Sequence, residues 1–383
     1  MSRTLNRSSW WTFGILNVVV VLAITFAGWY LLADPSTSPL DVYPLPFNAA
    51  LFWALLFVVW SGFNLELFGF ASLPQPRRGL TVAAAAIVFG IAMTWLLSEG
   101  LGAVNPDFAA AREGGLGYFT GALFVLFGFS TYVMAVVNWD HWPWRDLGLG
   151  QPQVGWSEIA FLMLPTILLY VVLGLPTLSL ASPPGSALLD LDTLLGWYYS
   201  LVVAIVLTGV LWENWPWRLA GSRARTAAAS VVGTLVLGTA LYFALLATSK
   251  ALLGGENTRL LGDAIHQFPA QLGVCWVAWM IVWANAFGNK PTHLGGPVNL
   301  LVRGLATFGL AAATFVAYYF LAAEHLLHEP PVVGPIAGNA LGFMDWFALV
   351  ALLYIVGFES FGLPKPAEAT KAAEPVADPA VHP

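Results

Sequence analysis

The sequence predicts an all-α polytopic integral membrane protein whose ten transmembrane helices form five tandem two-helix repeats of about 73 residues. Three observations support this prediction: the composition, ten long apolar runs and a short motif that recurs at even spacing. Of the 383 residues, 58% are hydrophobic and 9% are charged, whereas soluble proteins carry roughly 25% charged residues. Because so few charges cannot cover a water-exposed surface, most of the chain must be solvated by lipid.

The apolar runs have the length of membrane-spanning helices. A bilayer core of about 30 Å is crossed by about 20 apolar residues, and a lipid-exposed segment must be helical to satisfy its own backbone. The first run follows Arg3 and Arg7, but it exceeds the roughly 7 to 15 apolar residues of a signal peptide and lacks a small-residue cleavage site. The ten runs are 10–32, 46–70, 80–102, 116–139, 155–181, 190–213, 225–250, 267–287, 298–325 and 337–361.

The basic residues indicate the orientation. Positive charges favour the cytoplasmic side, and twelve of the fifteen Lys and Arg lie at the termini or after even-numbered runs. We therefore predict a multi-pass protein of the plasma (inner) membrane with both termini cytoplasmic. Residues 1–363 form a single transmembrane domain, and the Ala-, Pro- and Glu-rich tail 364–383 is predicted to be disordered.

A four-residue pattern, [Asp/Glu/Asn]-x-[Phe/Trp]-[Pro/Gly], ends every even-numbered run; we call it the exit motif. Its instances are separated by 74, 73, 72 and 74 residues, whereas the composition predicts only about 0.6 chance matches. The repeats that follow are 1–74, 75–148, 149–221, 222–293 and 294–363, parallel copies about an axis near the membrane normal. The motif's polar positions are Glu66, Asp140, Glu213, Asn285 and Glu359, and its aromatic positions are Phe68, Trp142, Trp215, Phe287 and Phe361.

The motif has two interpretations. The aromatic ring suits the headgroup region and the Pro or Gly ends the helix, but a carboxylate at a helix C-terminus is unfavourable by roughly 0.3 to 1 kcal/mol. In the first interpretation the motif is an anchoring cap with a nearby cation. In the second, the acids line a shared cytoplasmic vestibule that binds or relays cations or protons. The nearby cations are Arg145, Arg218 and Lys290, five positions after the polar residue, and Lys365, six positions after Glu359.

The densest group of possible metal ligands lies at the opposite end of the ninth run. Glu324, His325, His328 and Glu329 are spaced so that pairs share a helix face, and His266 could approach from the preceding loop. Imidazole and carboxylate groups at this spacing could hold a transition metal, or the histidines a haem. The alternative is a polar cap at a solvated interface.

Four other polar residues near the membrane have simpler interpretations. Asp345 and Arg303 lie close to helix ends and are predicted to reach the interface, the arginine by extending its long side chain. Asn17 and Asn64 are predicted to form hydrogen bonds between helices.

Three classes of function remain open. The short connections leave no room for a soluble catalytic or nucleotide-binding domain, and the common nucleotide-binding and hydrolase motifs are absent from the sequence. The repeated helices favour a secondary transporter or channel for a small solute or ion. The alternatives are a membrane-bound metal or redox protein using the His/Glu cluster, and a Trp-rich structural subunit packed against a partner membrane subunit. The lipid bilayer is the one partner that the sequence requires. Nothing in the charge pattern indicates nucleic acid as a partner.

Overall fold

The structure, a computed structural model, describes residues 9–110, 115–178 and 185–366. Within these ranges, nine helical stretches are long and apolar enough to cross a membrane, which is the helix content of an all-α multi-pass membrane protein. All but the first three residues of the predicted disordered tail, 364–383, lie outside the described residues. The stretches are α1 (Trp10–Leu32), α2 (Phe47–Asn64), α3 (Arg77–Gly100), α4 (Leu116–Val137), α5 (Gln153–Leu178), α6 (Leu191–Leu211), a stretch Arg223–Ala286 that contains α7 (Arg223–Leu261) and α8 (Phe268–Ala286), α9 (Gly296–His325) and α10 (Ala340–Gly357).

The seventh stretch is not one straight helix. It has 64 residues, which would extend about 96 Å if straight, three times the bilayer core. Gly254 breaks the helix with a φ of 81°, and a 3₁₀ turn at Gly262–Gln267 separates α7 from α8. The chain then folds back, because the Tyr242 hydroxyl lies 2.9 Å from His266 Nδ1. The count of ten membrane crossings stays a prediction.

The helices form two layers. The even-numbered helices, which we call the ring helices, contact one another in the closed order α2, α4, α6, α8, α10 and back to α2. Each odd-numbered or peripheral helix packs against a ring helix: α3 on α2, α5 on α4, α7 on α6, α9 on α8, and α1 on α10 and α8. Every peripheral helix therefore lies on the ring helix that precedes it, with α1 completing the circle on α10.

Burial separates the two layers. Between 61% and 78% of the most apolar window is buried in α2, α4, α6 and α10, against 22% to 28% in α1, α3, α5 and α9. The outward faces of the peripheral helices are apolar, as shown by the exposed Ile87, Val88 and Ile91 of α3. Such faces are stable only in lipid.

Small residues allow the layers to approach closely. A Cβ atom on Gly90 would lie 2.4 Å from the Ala50 carbonyl oxygen, and one on Gly238 would lie 2.8 Å from Leu201 Cα. Both contacts are with backbone atoms that cannot move aside, so only glycine fits. Close approach of this kind is how helices associate in lipid, where hydrophobic attraction between them is weak.

Irregular π-helical turns recur in the helices at intervals of about one or two exit-motif spacings. Among the described residues, three π-helical segments end ring helices and begin at residues 59, 207 and 352, which are 148 and 145 apart. Three others lie in peripheral helices and begin at 96, 170 and 318, which are 74 and 148 apart. A π turn locally widens the hydrogen-bond pattern of the helix, and the five-repeat architecture stays a prediction. A short hairpin of β1 (Pro331–Val333) and β2 (Ile336–Ala337) precedes α10 and was not predicted.

Candidate functional site

The exit motif has an unusual backbone conformation. Glu66, Asp140, Glu213 and Glu359, which we call the exit acids, have φ values between 50° and 54°, in the left-handed region, and so does the residue after each of them. That next residue donates its N–H to a carbonyl six positions earlier, as in the 2.7 Å bond from Leu67 to Ser61. The wide turn satisfies carbonyl groups that a helix end otherwise leaves free.

The fourth instance of the motif needs a correction. Asn285 lies inside α8, and its side-chain amide donates to the Ile281 carbonyl. The left-handed pair at this exit is Gly288 and Asn289, where the N–H of Asn289 bonds to the Trp283 carbonyl. Asn285 therefore does not share the backbone position of the exit acids. The sequence pattern placed the polar position three residues too early. Asn285, Phe287 and Gly288 match the residue types of the motif, although the backbone turn that defines the other exits begins at Gly288.

Each exit acid is paired with an arginine. Asp140 lies 2.9 Å from Arg145, the cation that its spacing predicts, and Arg145 also bonds Glu66. The other arginine pairs link separate segments, whereas Lys365 is the local cation that its spacing predicts for Glu359. Glu359 lies 2.5 Å from Arg78 and 3.6 Å from Lys365, and Glu213 lies 2.7 Å from Arg303.

Two expectations about Arg303 and Glu213 were wrong. The side chain of Arg303 is only 3% exposed and does not extend to the interface, and Glu213 pairs with it instead of with Arg218. Arg303 also donates to the carbonyls of Pro291 and Leu211. A sequence gap of 90 residues separates the two partners, so local spacing could not reveal the pair.

The motif aromatics do not share one environment. Phe68 and Phe361 are each 51% exposed, as expected for rings at the headgroup level, whereas Trp142 and Trp215 are half-buried. Phe287 is buried and stacks on Trp283. It fits closely over Gly14 of α1, where a Cβ would lie 2.3 Å from its ring.

Two of the residues that follow the exit acids connect segments that are distant in the sequence. His141 Nδ1 lies 2.8 Å from the buried Glu158, which also accepts from Asn64 at 2.9 Å. Ser360, in the turn after α10, donates to Asn17 of α1 at 2.7 Å. Asn17 and Asn64 are thus interhelical hydrogen-bond partners, as predicted, but Glu158 was not singled out.

The Glu213–Arg303 pair allows a stability prediction. Glu213→Gln should lower the free energy of unfolding by about 1 to 2 kcal/mol, less than a fully buried pair because Glu213 is half-exposed and Arg303 keeps its carbonyl partners. Asp140→Asn, in an exposed pair, should change it by less than about 0.5 kcal/mol. Thermal unfolding of the two purified variants provides the comparison. An equal effect of both substitutions would contradict the buried role of Arg303.

Three of the five predicted metal ligands bond other partners. Glu324 and His325 are exposed, whereas His328 Nδ1 bonds Asp34 Oδ2 at 2.8 Å and His266 bonds Tyr242. Glu329 points into the protein. Over the described ranges, which contain all five residues, no group of three or more His, Cys, Asp or Glu side chains forms a metal site. The five residues are not brought together as a ligand set.

Glu329 belongs to a buried cluster of hydrogen bonds, only 3% exposed. Its carboxylate accepts from the hydroxyl of Tyr43, from the hydroxyl of Tyr318 at 2.7 Å and from the Asn339 N–H at 3.1 Å. Burial raises the pKa of Glu329 to about 7, partly opposed by these three hydrogen bonds. For nearby Asp34, burial acts to raise the pKa, but hydrogen bonds from His328 and from the Ser36 and Thr37 amides hold it below its ordinary value.

The cluster predicts a pH-dependent stability. Because the pKa of Glu329 is about 7 when folded and 4.5 in its ordinary state, the folded protein binds more protons between these values. Stability should therefore fall as the pH rises from 4.5 through 7, by on the order of 2 to 3 kcal/mol. Glu329→Gln should remove this slope, and comparing unfolding midpoints of the variant and the wild type over that range isolates it from other titrating groups. Parallel pH profiles would contradict the assignment.

A cavity of about 440 Å³ lies at the centre of the ring helices. All five ring helices line it, and most of the lining is apolar. Its wall includes Phe52 and Leu55 of α2, Leu126 and Phe129 of α4, Tyr199 and Val202 of α6, Val277 and Ile281 of α8, and Asp345, Ala348 and Leu352 of α10. None of the exit acids is among the lining residues of the described chain.

Polar side chains gather where the cavity meets the end opposite the exit motifs. Gln267 donates to Asp192 at 3.2 Å and accepts from Gln271, which in turn donates to Asn339. These groups are mutually satisfied and join α6, α8 and the start of α10. Asn48, at the start of α2, also lines the cavity; its Oδ1 atom is buried without a hydrogen-bond partner among the described residues.

Among the residues that the structure describes, two carboxylates line the cavity, Asp192 and Asp345. Asp192 lies at the polar end of the cavity, and Asp345 lies away from that end. It is 7% exposed and does not reach the interface, contrary to the expectation from its position near the start of α10. The Tyr199 hydroxyl is its one described hydrogen-bond donor, at a long 3.5 Å. The helical phase could have revealed this, since Leu341, Asp345, Ala348 and Leu352 lie on one face of α10.

Compared with known protein families, curated proteins and solved structures, the chain matches none of them. The cavity and its buried carboxylate are therefore interpreted from their own chemistry.

Proposed function

We propose that this membrane protein is a secondary transporter or channel for a small solute or ion, and that the central cavity is part of the solute pathway. The observation that carries the proposal is a cavity enclosed by all five ring helices that contains buried, incompletely paired polar groups. In a membrane protein such groups are energetically unfavourable and are typical of substrate or ion pathways. Binding near the middle of a set of helical repeats is a common arrangement in transporters.

The proposed architecture is five two-helix repeats closed into a ring, with ten crossings and both termini cytoplasmic. Three features support it: the period of the exit motif, the spacing of the π-helical segments at about one or two such periods, and the contact of α10 with α2. Because each peripheral helix packs on the ring helix of the preceding repeat, the units hold one another in place. In such a ring the solute pathway follows the axis of the ring. The ion pairs between the exit acids and their arginines hold the ends of neighbouring helices together.

The pathway is tested by the reactivity of single cysteines, in a protein whose only native cysteine is removed by Cys275→Ala. Ala348→Cys places a thiol on the cavity wall, and Ala84→Cys places one on the exposed, outward face of α3. Small charged methanethiosulfonates, which react in water, should modify the first and spare the second. The proposal fails if neither the cationic nor the anionic reagent modifies Ala348→Cys while Ser36→Cys, in the loop after α1, reacts normally.

Ring closure is tested by a cross-link between the first and last repeats. The Asn17 and Ser360 side chains are 2.7 Å apart, so Asn17→Cys with Ser360→Cys, in the Cys275→Ala background, should form a disulfide under mild oxidation. After proteolysis in a central connection, the two halves should remain joined until reductant is added. Asn17→Cys paired with Ala84→Cys is the control that should not cross-link, and its cross-linking at the same rate would contradict a fixed ring.

A further inference from the structure

We infer that the central cavity binds a small protonated amine with apolar substituents, and that Asp345 is its counterion. This inference rests on the proposed function and names the class of solute. The structure offers Asp345 no cation, since none of the ion pairs described in the chain includes it. A buried carboxylate is stable only with a proton or a positive charge beside it.

The cavity wall favours an organic cation over a metal ion. Hard metal ions require about six oxygen ligands, but the side chains around Asp345 are mainly hydrocarbon, including Ala348 one turn further along α10. Aromatic side chains line the same space, among them Phe52, Phe129 and Tyr199. Aromatic faces attract organic cations and hydrocarbon walls attract their apolar groups.

Asn48 indicates that the cation carries N–H groups. Its Oδ1 atom is an unpartnered acceptor in a side chain that is 8% exposed. A Cβ built on Gly342 would lie 3.0 Å from that oxygen, and Gly342 and Asp345 are neighbours on one face of α10. In the structure this oxygen faces Gly342 of α10 and has almost no accessible surface, so the Asn48 amide must turn towards the cavity to accept from the amine. In that position a primary ammonium group can donate to both the carboxylate and the amide oxygen, whereas a quaternary ammonium group cannot.

The polar end of the cavity has the matching charge. Asp192, bonded to Gln267, is a second carboxylate on the lining. Negative charge at an entrance raises the local concentration of cations and repels anions. A cation can thus pass from Asp192 towards Asp345, while the apolar wall holds the rest of the molecule.

The test compares two methanethiosulfonate reagents of opposite charge. At Ala348→Cys, in the Cys275→Ala background, trimethylammonioethyl methanethiosulfonate should react at least about tenfold faster than the anionic sulfonatoethyl reagent after each rate is normalised to that reagent's rate with free thiol. Adding Asp345→Asn should bring the two rates, each normalised to free thiol, to within about twofold. Equal normalised rates in the parent would overturn the cation inference while leaving an aqueous pathway in place. Reaction with neither reagent would instead overturn the proposed function.

A protection assay tests the solute class directly. Benzylammonium should slow labelling of Ala348→Cys at concentrations where benzyltrimethylammonium is weaker and neutral benzyl alcohol has no effect. Asn48→Leu should remove the preference for the primary amine but keep the preference for a cation. Equal protection by benzyl alcohol, or protection that survives Asp345→Asn, would overturn the inference. If Asp345→Asn does not yield monodisperse protein, the three compounds are compared on Ala348→Cys in the Cys275→Ala background only. Stronger protection by benzylammonium than by benzyl alcohol is then the result that supports the inference, and equal protection overturns it.

Discussion

Asp345→Asn is expected to abolish uptake of labelled benzylammonium into proteoliposomes and at the same time to raise the thermal stability of the protein. Uptake should fall at least thirtyfold, because loss of a buried charge partner weakens binding by roughly 2 to 5 kcal/mol. Stability should rise because the substitution removes a buried carboxylate for which the described chain supplies no cation and only one long hydrogen bond. Opposite effects on activity and stability are typical of functional sites.

The comparison variants separate function from structure. Asp345→Glu keeps the charge and should retain measurable uptake. Asp41→Asn makes the same chemical change at an exposed loop residue that already has a left-handed φ of 49°, and it should alter neither property. If Asp345 were structural, its replacement by Asn would lower the unfolding temperature and reduce uptake only in proportion to lost protein.

Ala348→Phe should block the cavity without disrupting the fold. The added ring projects into a space of about 440 Å³ on the same face of α10 as Asp345. Uptake should fall to the background of empty liposomes, while the unfolding temperature changes by only a few degrees, because the cavity has room for the ring. Two measurements report the block. The first is uptake, and the second is the rate at which a thiol on a second cavity residue, Leu352→Cys, is labelled with and without the solute.

Ala84→Phe is the matched control. Ala84 is exposed on the outward face of α3, so its enlargement should affect only contacts with lipid. Loss of uptake in Ala84→Phe as large as in Ala348→Phe would show that the helices respond to any added bulk. Normal uptake in Ala348→Phe would place the solute pathway elsewhere.

The sequence predicted the features that depend on composition and local spacing. The sparse charge and the apolar runs predicted a helical membrane protein, and the structure's nine apolar stretches agree. The even spacing of the exit motif predicted repeats, which stay a prediction, and the π-helical segments lie about one or two motif spacings apart. Such features are accessible because each depends on a few consecutive residues and on the thickness of a bilayer.

Features that depend on contacts between distant segments were not accessible. Arg303 was expected at the interface because its helix position allows it, but its partner Glu213 is 90 residues away. The left-handed pair at Gly288 and Asn289 was missed because composition matched the motif three residues earlier. Helical phase places Asp345 on one face of α10 with Ala348 and Leu352, but the order of helices around the ring decides that this face lines a cavity.

The proposed metal ligands illustrate the same difficulty. Spacing on one helix brings His325, His328 and Glu329 within reach of a common ion in principle. In the structure the α9 helix ends at His325, and His328 has a left-handed φ of 50°. The chain therefore turns, which directs His328 to Asp34 and Glu329 to Tyr43 and Tyr318.

The most direct measurement is the location of a bound heavy-atom amine. 4-Bromobenzylammonium contains the proposed ammonium group and a bromine whose anomalous scattering identifies its position. In crystals of the protein soaked with this compound, we expect one bromine peak per chain inside the ring of helices, with the ammonium group beside the Asp345 carboxylate and Asn48, and no such peak in Asp345→Asn. Bromine peaks confined to the lipid-facing surfaces of the peripheral helices, with no density beside Asp345 at saturating concentration, would contradict the account.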